Sequence, residues 1–384
     1  MTVLAFRNGR ILLEDGMAEN VRIESGDDRI EAVLSDAGAG AGVEGATGPS
    51  IDLAGGWLVP GFVDTQVNGG RDVLFNDCPD VAGIARISAA HARFGTTALL
   101  PTLISAPRDI IARALDAVDE AIETGVPGVV GIHVEGPFLN EARRGIHDAG
   151  QFRPLEGELI ALLTKPRRGA VMVTLAPECN SPEAVRALVE AGVIVSIGHS
   201  NATYADVRLA IANGARGVTH LFNAMSPFHH RNPGVTGAVL EDRSLWCGLI
   251  VDGAHVHPAA IRVALAARPE DRFMLVTDAM PTVGSERKRF MLNGEEITVR
   301  DGVCVNARGT LAGSDLDMAT AVRNTVRLGV APHRAFAMAS TNPARFLGIE
   351  ASHGRIAVGK RADFVWLDAD FRPQATWIGG QRVC

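Results

Sequence analysis

Glu135 and His147 lie twelve residues apart in the run I-H-V-E-G-P-F-L-N-E-A-R-R-G-I-H-D, Ile132 to Asp148. The apolar residues Val129-Val130-Gly131-Ile132 before Glu135 read as a buried strand, and Gly136-Pro137 stops it. Glu135 then sits at the carboxyl lip of a strand, where α/β proteins keep their chemistry. A carboxylate there is costly to bury unless it is paired or binds a cation. Taken alone, Glu135 has a purely structural alternative, pairing with a neighbouring arginine.

Other polar residues recur at the same kind of position. Asp64, Gln66 and Asn68 follow a first candidate strand. His199, in G-H-S-N-A, follows a fifth, and His220, in T-H-L-F-N-A-M, ends a sixth. Asp252 and His255 follow a seventh. Asp278, in V-T-D-A, follows an eighth. If the strand count holds, all of them meet at one mouth. Two imidazoles and a carboxylate from different strands make a three-ligand site with positions open to water, the pattern of a catalytic rather than a structural metal centre. Asp278 remains free as a proton shuttle. A single histidine is more often a hydrogen-bonded core residue; several at the ends of successive strands favour metal.

These residues require a frame of eight strands. The candidates end at Val63, Leu100, Val134, Leu175, Ile197, Leu221, Val251 and Val276, with helices between most of them. Ile111, Leu115, Val118 and Ile122 recur at helical spacing within Asp109–Glu123. Ser181-Pro182 caps and starts another helix, which Gly192 ends. The pattern predicts an α/β fold, a (β/α)8 barrel over 58–349. An open doubly wound sheet is the alternative, but no G-x-G-x-x-G follows the first strand. Residues 3–13 read as a hairpin turning at Asn8-Gly9, with a second strand pair at Val21–Ile23 and Arg29–Val33. Ala37–Ser50, rich in Gly and Ala, reads as a surface loop. Ile297–Val305 reads as an inserted hairpin, Leu316–Leu328 and Pro332–Ala339 as helices, and Asn342-Pro343 as the cap of a last short one. Gly354–Ile356, Ala362–Leu367 and a final hairpin over Ala375–Val383 return to strand grammar. Both chain ends, 1–57 and 350–384, are therefore expected to pair into a small β-sandwich domain.

The chain has 384 residues, 47% hydrophobic and 21% charged, ordinary for a soluble enzyme with one large barrel and an accessory piece. A net charge of −7 argues against a nucleic-acid surface. The five cysteines are scattered, which fits a reducing cytoplasm rather than a disulfide framework or thiolate zinc site. Arg7 and Arg10 interrupt the N-terminus, so no signal peptide is expected, and no apolar run approaches the roughly 18 residues a membrane span needs.

Eight motifs then act together: P-G-F-V-D-T-Q-V-N-G (Pro60–Gly69), H-V-E-G-P-F (His133–Phe138), R-G-I-H-D (Arg144–Asp148), G-H-S-N-A (Gly198–Ala202), T-H-L-F-N-A-M (Thr219–Met225), D-G-A-H (Asp252–His255), V-T-D-A-M (Val276–Met280) and L-A-G-S (Leu311–Ser314). With them, over nearly its whole length, the chain resembles the N-acetylglucosamine-6-phosphate deacetylase family of the amidohydrolase superfamily. The resemblance implies Glu135, His199 and His220 as ligands of one divalent metal per subunit, zinc first, with iron, manganese or cobalt also acceptable. It implies Asp278 as the catalytic acid/base. It implies that Ile146, His147, Asn223, Ala224, Arg231, His255 and the backbone of Leu311, Ala312 and Gly313 hold a sugar phosphate. It further implies amino-sugar catabolism, cell-wall sugar recycling, and a homodimer in which Arg231 reaches the partner's site. Many amidohydrolases place His-x-His after strand one for a second metal. Gln66 and Asn68 stand there in this chain, and neutral amides are poor ligands, so the sequence favours one firmly bound ion; simple loop hydrogen bonding is the plainer role for both. Two other functions remain open at this point: an amidohydrolase acting on a cyclic amide or N-acyl amino acid, with Arg231 serving a carboxylate, and a silent barrel kept for binding.

Overall fold

From Trp57 onward the chain builds eight parallel strands, each followed by a loop or helix that returns it to the opposite end. The computed structural model describes residues 2–35 and 50–384. The strands are β1 (Phe62–Val67), β2 (Thr96–Ile104), β3 (Gly131–Glu135), β4 (Ala170–Leu175), β5 (Ile194–Ile197), β6 (Gly217–Val218), β7 (Trp246–Leu249) and β8 (Phe273–Leu275). They pair in sequence order into one sheet. The sheet closes just beyond β8. Asp278 N–H donates to the Gln66 carbonyl at 3.0 Å, and Asn68 N–H donates to the Ala279 carbonyl at 2.9 Å. The (β/α)8 reading therefore stands, and the open sheet does not.

Local chemistry explains the helices. Arg108–Glu123 turns Ile111, Leu115 and Val118 into the core. Ser181 caps Pro182–Glu190 by accepting from Ala184 N–H, and Gly192, with φ +83°, follows its end. The strand ends differ from the expected positions. β1 and β2 run past the expected Val63 and Leu100 to Val67 and Ile104, while β6 stops at Val218 instead of Leu221. The left-handed φ values of His220 (33°) and Phe222 (80°) break β6 and swing His220 out of the strand.

The two chain ends form the expected sandwich. One sheet orders Arg29–Ser35, Val21–Gly26, Thr2–Arg7 and Ser50–Asp52; the other joins Arg10–Leu13, Gly16–Ala18 and Trp57–Pro60 to Phe364–Leu367, Pro373–Ile378 and Gln381–Arg382. Phe6, Phe364 and Trp377 pack between them with ring centroids 5.2–5.7 Å apart. The predicted Asn8-Gly9 hairpin is not formed. Thr2–Arg7 and Arg10–Leu13 belong to different sheets, and this corner carries the chain from one to the other. Leu53 N–H donates to Arg7 O and Arg10 N–H to Gly56 O, so the segment after Ser50–Asp52 takes the hydrogen bonds a hairpin would use. The predicted surface loop lies outside the described residues except for Ser50, which opens a strand.

Three further boundaries differ. The inserted hairpin is part of a four-stranded antiparallel sheet: Arg289–Leu292, Glu295–Arg300, Val303–Val305 and Leu311–Ser314. Asn342 lies inside the helix Thr341–Leu347, where its side chain donates to the Phe273 carbonyl and ties the helix to the start of β8. Gly354–Ile356 is not a strand, although Ile356 is buried in the sandwich core.

Gly131 opens β3 at φ +156°, and a Cβ there would meet the Ala170 carbonyl of β4 at 2.0 Å. Gly131→Ala is expected to destabilise the fold by about 1–3 kcal/mol, the usual range for overpacking. Urea unfolding checks this; an unchanged midpoint would mean that β3 and β4 can part without cost.

Candidate active site

β3 ends at Glu135, which is 2% exposed. Its Oε1 lies 3.1 Å from His220 Nε2 and 3.3 Å from His199 Nε2, and the two Nε2 atoms are 3.1 Å apart. His199 follows β5 and His220 follows β6, and both adopt left-handed φ, 46° and 33°. The arginine partner considered for Glu135 is not what the structure supplies. Burial alone would raise its pKa, but the neighbouring His199 and His220 imidazoles outweigh it and hold the carboxyl well below the usual range. His199 Nδ1 is 2.8 Å from the Arg143 carbonyl, so Nδ1 carries the hydrogen and Nε2 offers its lone pair. His220 Nδ1 has no partner among the described residues. Two imidazole nitrogens and a carboxylate oxygen, buried and within 4.8 Å of one another, suit a divalent cation.

Asp278 stands beside this group at φ +51°. Gln66 Nε2 donates to Asp278 Oδ1 and to Glu135 Oε1, each at 3.1 Å. Asn68 Nδ2 donates to the same Asp278 Oδ1 at 2.7 Å. The plain loop role considered for these amides is thus replaced by specific contacts, with Gln66 inside β1. Burial and then the charge of Glu135 push Asp278 up to about 6. Asp64, also expected near the mouth, is buried and accepts from the Thr277 hydroxyl at 2.6 Å.

The side chains around this centre line a cavity of about 340 Å³. Ile146, His147, Asn223, Ala224, His255, Leu311 and Gly313 are all on its wall, as are Glu135, His199, His220, Asp278 and Asn68. Ser105 N–H and the Ser105 hydroxyl approach His147 Nδ1 at 3.4 and 2.8 Å. The backbone donor makes Nδ1 an acceptor, so Nε2 carries the hydrogen. Burial pushes His147 down to about 3, which keeps it neutral. His255 Nδ1 is 2.6 Å from Asp252 Oδ2. Gly313 passes so close that a Cβ would meet the Asp278 carbonyl at 2.8 Å. Ala312 is not on the wall; its side chain is buried with Met280, Leu292 and Ile297. Arg231 is exposed on the loop between β6 and the helix Gly234–Glu241 and does not reach the cavity of its own chain.

Sequence reasoning missed Arg143, Ser105 and Thr310. Arg143 and Thr310 line the cavity, and Arg143 orients His199 through its backbone carbonyl. A carbonyl has no residue code, so that contact left no signal. Thr310 precedes the L-A-G-S motif, which could have pointed to it.

A family model described as the amidohydrolase family matches residues 57–383. The chain belongs to the amidohydrolase family. It is 41% identical over 376 residues to the N-acetylgalactosamine-6-phosphate deacetylase of Shewanella sp. (strain ANA-3), covering 97% of this chain and 94% of that one. It is 39% identical over 349 residues to the human N-acetylglucosamine-6-phosphate deacetylase, covering 86% and 84%. The crystal structure of N-acetylglucosamine-6-phosphate deacetylase from Pasteurella multocida superposes with a TM-score of 0.93 at 33% identity over 99% of both chains. A mutant of the Mycobacterium smegmatis enzyme in complex with N-acetyl-D-glucosamine-6-phosphate superposes with a TM-score of 0.88 at 33% identity, over 100% of this chain and 99% of that one.

Removing one of the three converging groups would leave a buried site with too few donors for a cation. His199→Ala and His220→Ala are each expected to lower the metal retained after dialysis at least about tenfold, in line with the sensitivity of metal affinity to its ligand shells. Metal counting per chain decides it, and full retention in either variant would remove that imidazole from the set.

Proposed function

We propose that the protein hydrolyses the N-acetyl group of N-acetyl-D-glucosamine 6-phosphate, giving D-glucosamine 6-phosphate and acetate in amino-sugar catabolism. The observation that carries this reading is the meeting of Glu135, His199, His220 and Asp278 at one cavity, in an amidohydrolase whose relatives deacetylate hexosamine 6-phosphates. That complete set disfavours a silent binding barrel, and the relatives disfavour a cyclic-amide substrate.

The enzyme is metal-dependent, with Glu135, His199 and His220 as the holding residues. A divalent cation there supplies Lewis acidity and acidifies a water. Asp278 takes the proton of the attacking water and returns it to the departing amine, so that the amide C–N bond breaks to a neutral amine. His147 Nε2–H donates to the carbonyl oxygen as it gains charge. Asn223, Ala224, His255 and the Leu311–Gly313 backbone hold the sugar phosphate. We assign one ion per chain, zinc first, with iron, manganese and cobalt compatible with the donor set. Gln66 and Asn68 occupy the place of a second site. We place the enzyme in the cytoplasm, in cell-wall sugar recycling, with the barrel at 58–349 and the sandwich from 1–57 and 350–384. No described helix is long and apolar enough to cross a membrane.

The 4-epimer is a second substrate favoured by a specific observation: two of the relatives, each 41% identical, act on N-acetylgalactosamine 6-phosphate. Acetate release from both epimers, with and without the phosphate, tests the substrate class. No release from either 6-phosphate would overturn the reading. Asp278→Asn is expected to keep its metal and lose about 10²- to 10⁴-fold in kcat. A near wild-type rate would end the acid/base assignment.

We also propose a homodimer in which Arg231 completes the partner's phosphate site. Its exposure outside its own cavity and the 62% exposure of neighbouring Phe228 support this. Arg231→Ala should lower kcat/KM about 10- to 100-fold for the 6-phosphate and far less for the free sugar. An Asp278→Asn chain mixed with an Arg231→Ala chain should regain activity, because the hybrid holds one intact site. Verified hybrids without activity would place Arg231 in its own subunit's site.

A further inference from the structure

Gln66 and Asn68 are 1% and 0% exposed, and both spend side-chain N–H groups on carboxylates. An amide nitrogen has two hydrogens. Gln66 Nε2 reaches one oxygen of each of two carboxylates, Glu135 Oε1 and Asp278 Oδ1, at equal distances of 3.1 Å. Asn68 adds a second donor to Asp278 Oδ1 at 2.7 Å. Asp278 Oδ2 accepts no hydrogen bond from any described residue, while the residue lines the cavity. The backbone ladder between Asp278–Ala279 and Gln66–Asn68 fixes the same three residues from behind.

We infer that Gln66 and Asn68 are positioning residues that assign the two oxygens of Asp278 different work. Oδ1 is held; Oδ2 faces the cavity and exchanges the proton. On attack, Oδ2 gains a proton from water as the new C–O bond forms. On collapse, that proton passes to the nitrogen as the C–N bond breaks, and Asp278 returns to a carboxylate. Gln66 also ties Asp278 to Glu135, so the base keeps its distance from the metal-holding carboxylate through neutral donors. This deepens the deacetylase reading and rests on it.

Gln66→Met and Asn68→Leu keep side-chain bulk and remove the donors. Each is expected to retain the wild-type metal content, to hold KM within about threefold, and to lose roughly 10- to 100-fold in kcat, the effect of one hydrogen bond to a charged group. Two residues acting only through Asp278 must be non-additive with it. Gln66→Met placed on Asp278→Asn, read in single turnover at high enzyme concentration, should therefore be no slower than Asp278→Asn alone. Asn68→Thr, which restores a donor, should recover part of the loss. Metal loss, a raised KM with intact kcat, unchanged kcat in both variants, or a multiplicative double-variant loss would each overturn the inference. Wild-type protein inactive on both 6-phosphates would instead overturn the deacetylase reading, and the two failures are read from different samples.

Discussion

A carboxylate buried at the centre of a barrel must be compensated, and the way Glu135 is compensated organises the rest of this structure. Its desolvation cost is large in a dry interior. Among the described residues no arginine or lysine pairs with it. Two imidazoles and one amide surround Oε1 instead. That choice leaves lone pairs, not protons, facing the oxygen, at least for His199, whose hydrogen is spent on the Arg143 carbonyl. Such an arrangement is poor as a salt bridge and good as a cation site. The layer beneath supports it with hydroxyls: His133 Nε2 contacts Thr174 Oγ1, which contacts Thr219 Oγ1, which contacts Ser196 Oγ, each at 2.7 Å. Burial pushes His133 down to about 4, so this layer contributes hydrogen bonds but no competing positive charge.

The barrel closure and the Asp278 carboxylate are one feature. Asp278 N–H donates to Gln66 O and Asp278 O accepts from Ser314 N–H, so the residue is a stitch between β1 and the strand Leu311–Ser314. Its side chain inherits the rigidity of that seam. A carboxylate on a free loop would need ordering before it could act, whereas this one is held by the same bonds that close the sheet. The left-handed φ of Asp278, His199 and His220 is the local cost, and each occurs where a strand has ended and the side chain must turn inward.

Much of this was legible in the sequence because the signals were local. An apolar β-branched run stopped by Gly136-Pro137 marks Glu135 as a strand-end residue. The recurrence of His199, His220, His255 and Asp278 at later strand ends needs only the strand count. What failed to show was decided by partners distant in sequence. Asn8-Gly9 carries a strong hairpin signal, yet Phe6 and Ile11 are buried in one core between two sheets, so the flanking strands separate. Ala312 sits in a motif beside the cavity but faces the Met280 cluster, because alternation along Leu311–Ser314 sends its neighbours the other way. The Arg143 carbonyl and the Ser105 contact to His147 depend on loop geometry that residue types do not encode. Ligand types at strand ends are therefore readable where the groups that orient them are not.

The amides after strand one show why that distinction matters. As ligands they are second-rate, and a sequence reading treats them as the absence of something. In space they meet a demand that imidazole meets badly. Glu135 and Asp278 are two buried carboxylates, and the charge of Glu135 raises the proton affinity of Asp278. Bridging them with one group requires two donors on one atom, aimed at both oxygens. The NH₂ of Gln66 has that geometry; an imidazole carries its two nitrogens on different edges of the ring and cannot present both hydrogens from one point. A neutral bridge also adds no charge to a centre whose donors suit a divalent cation. Amides at Gln66 and Asn68, where imidazoles would suit a second metal, therefore read as a change of role, from holding a metal to holding the Asp278 carboxylate.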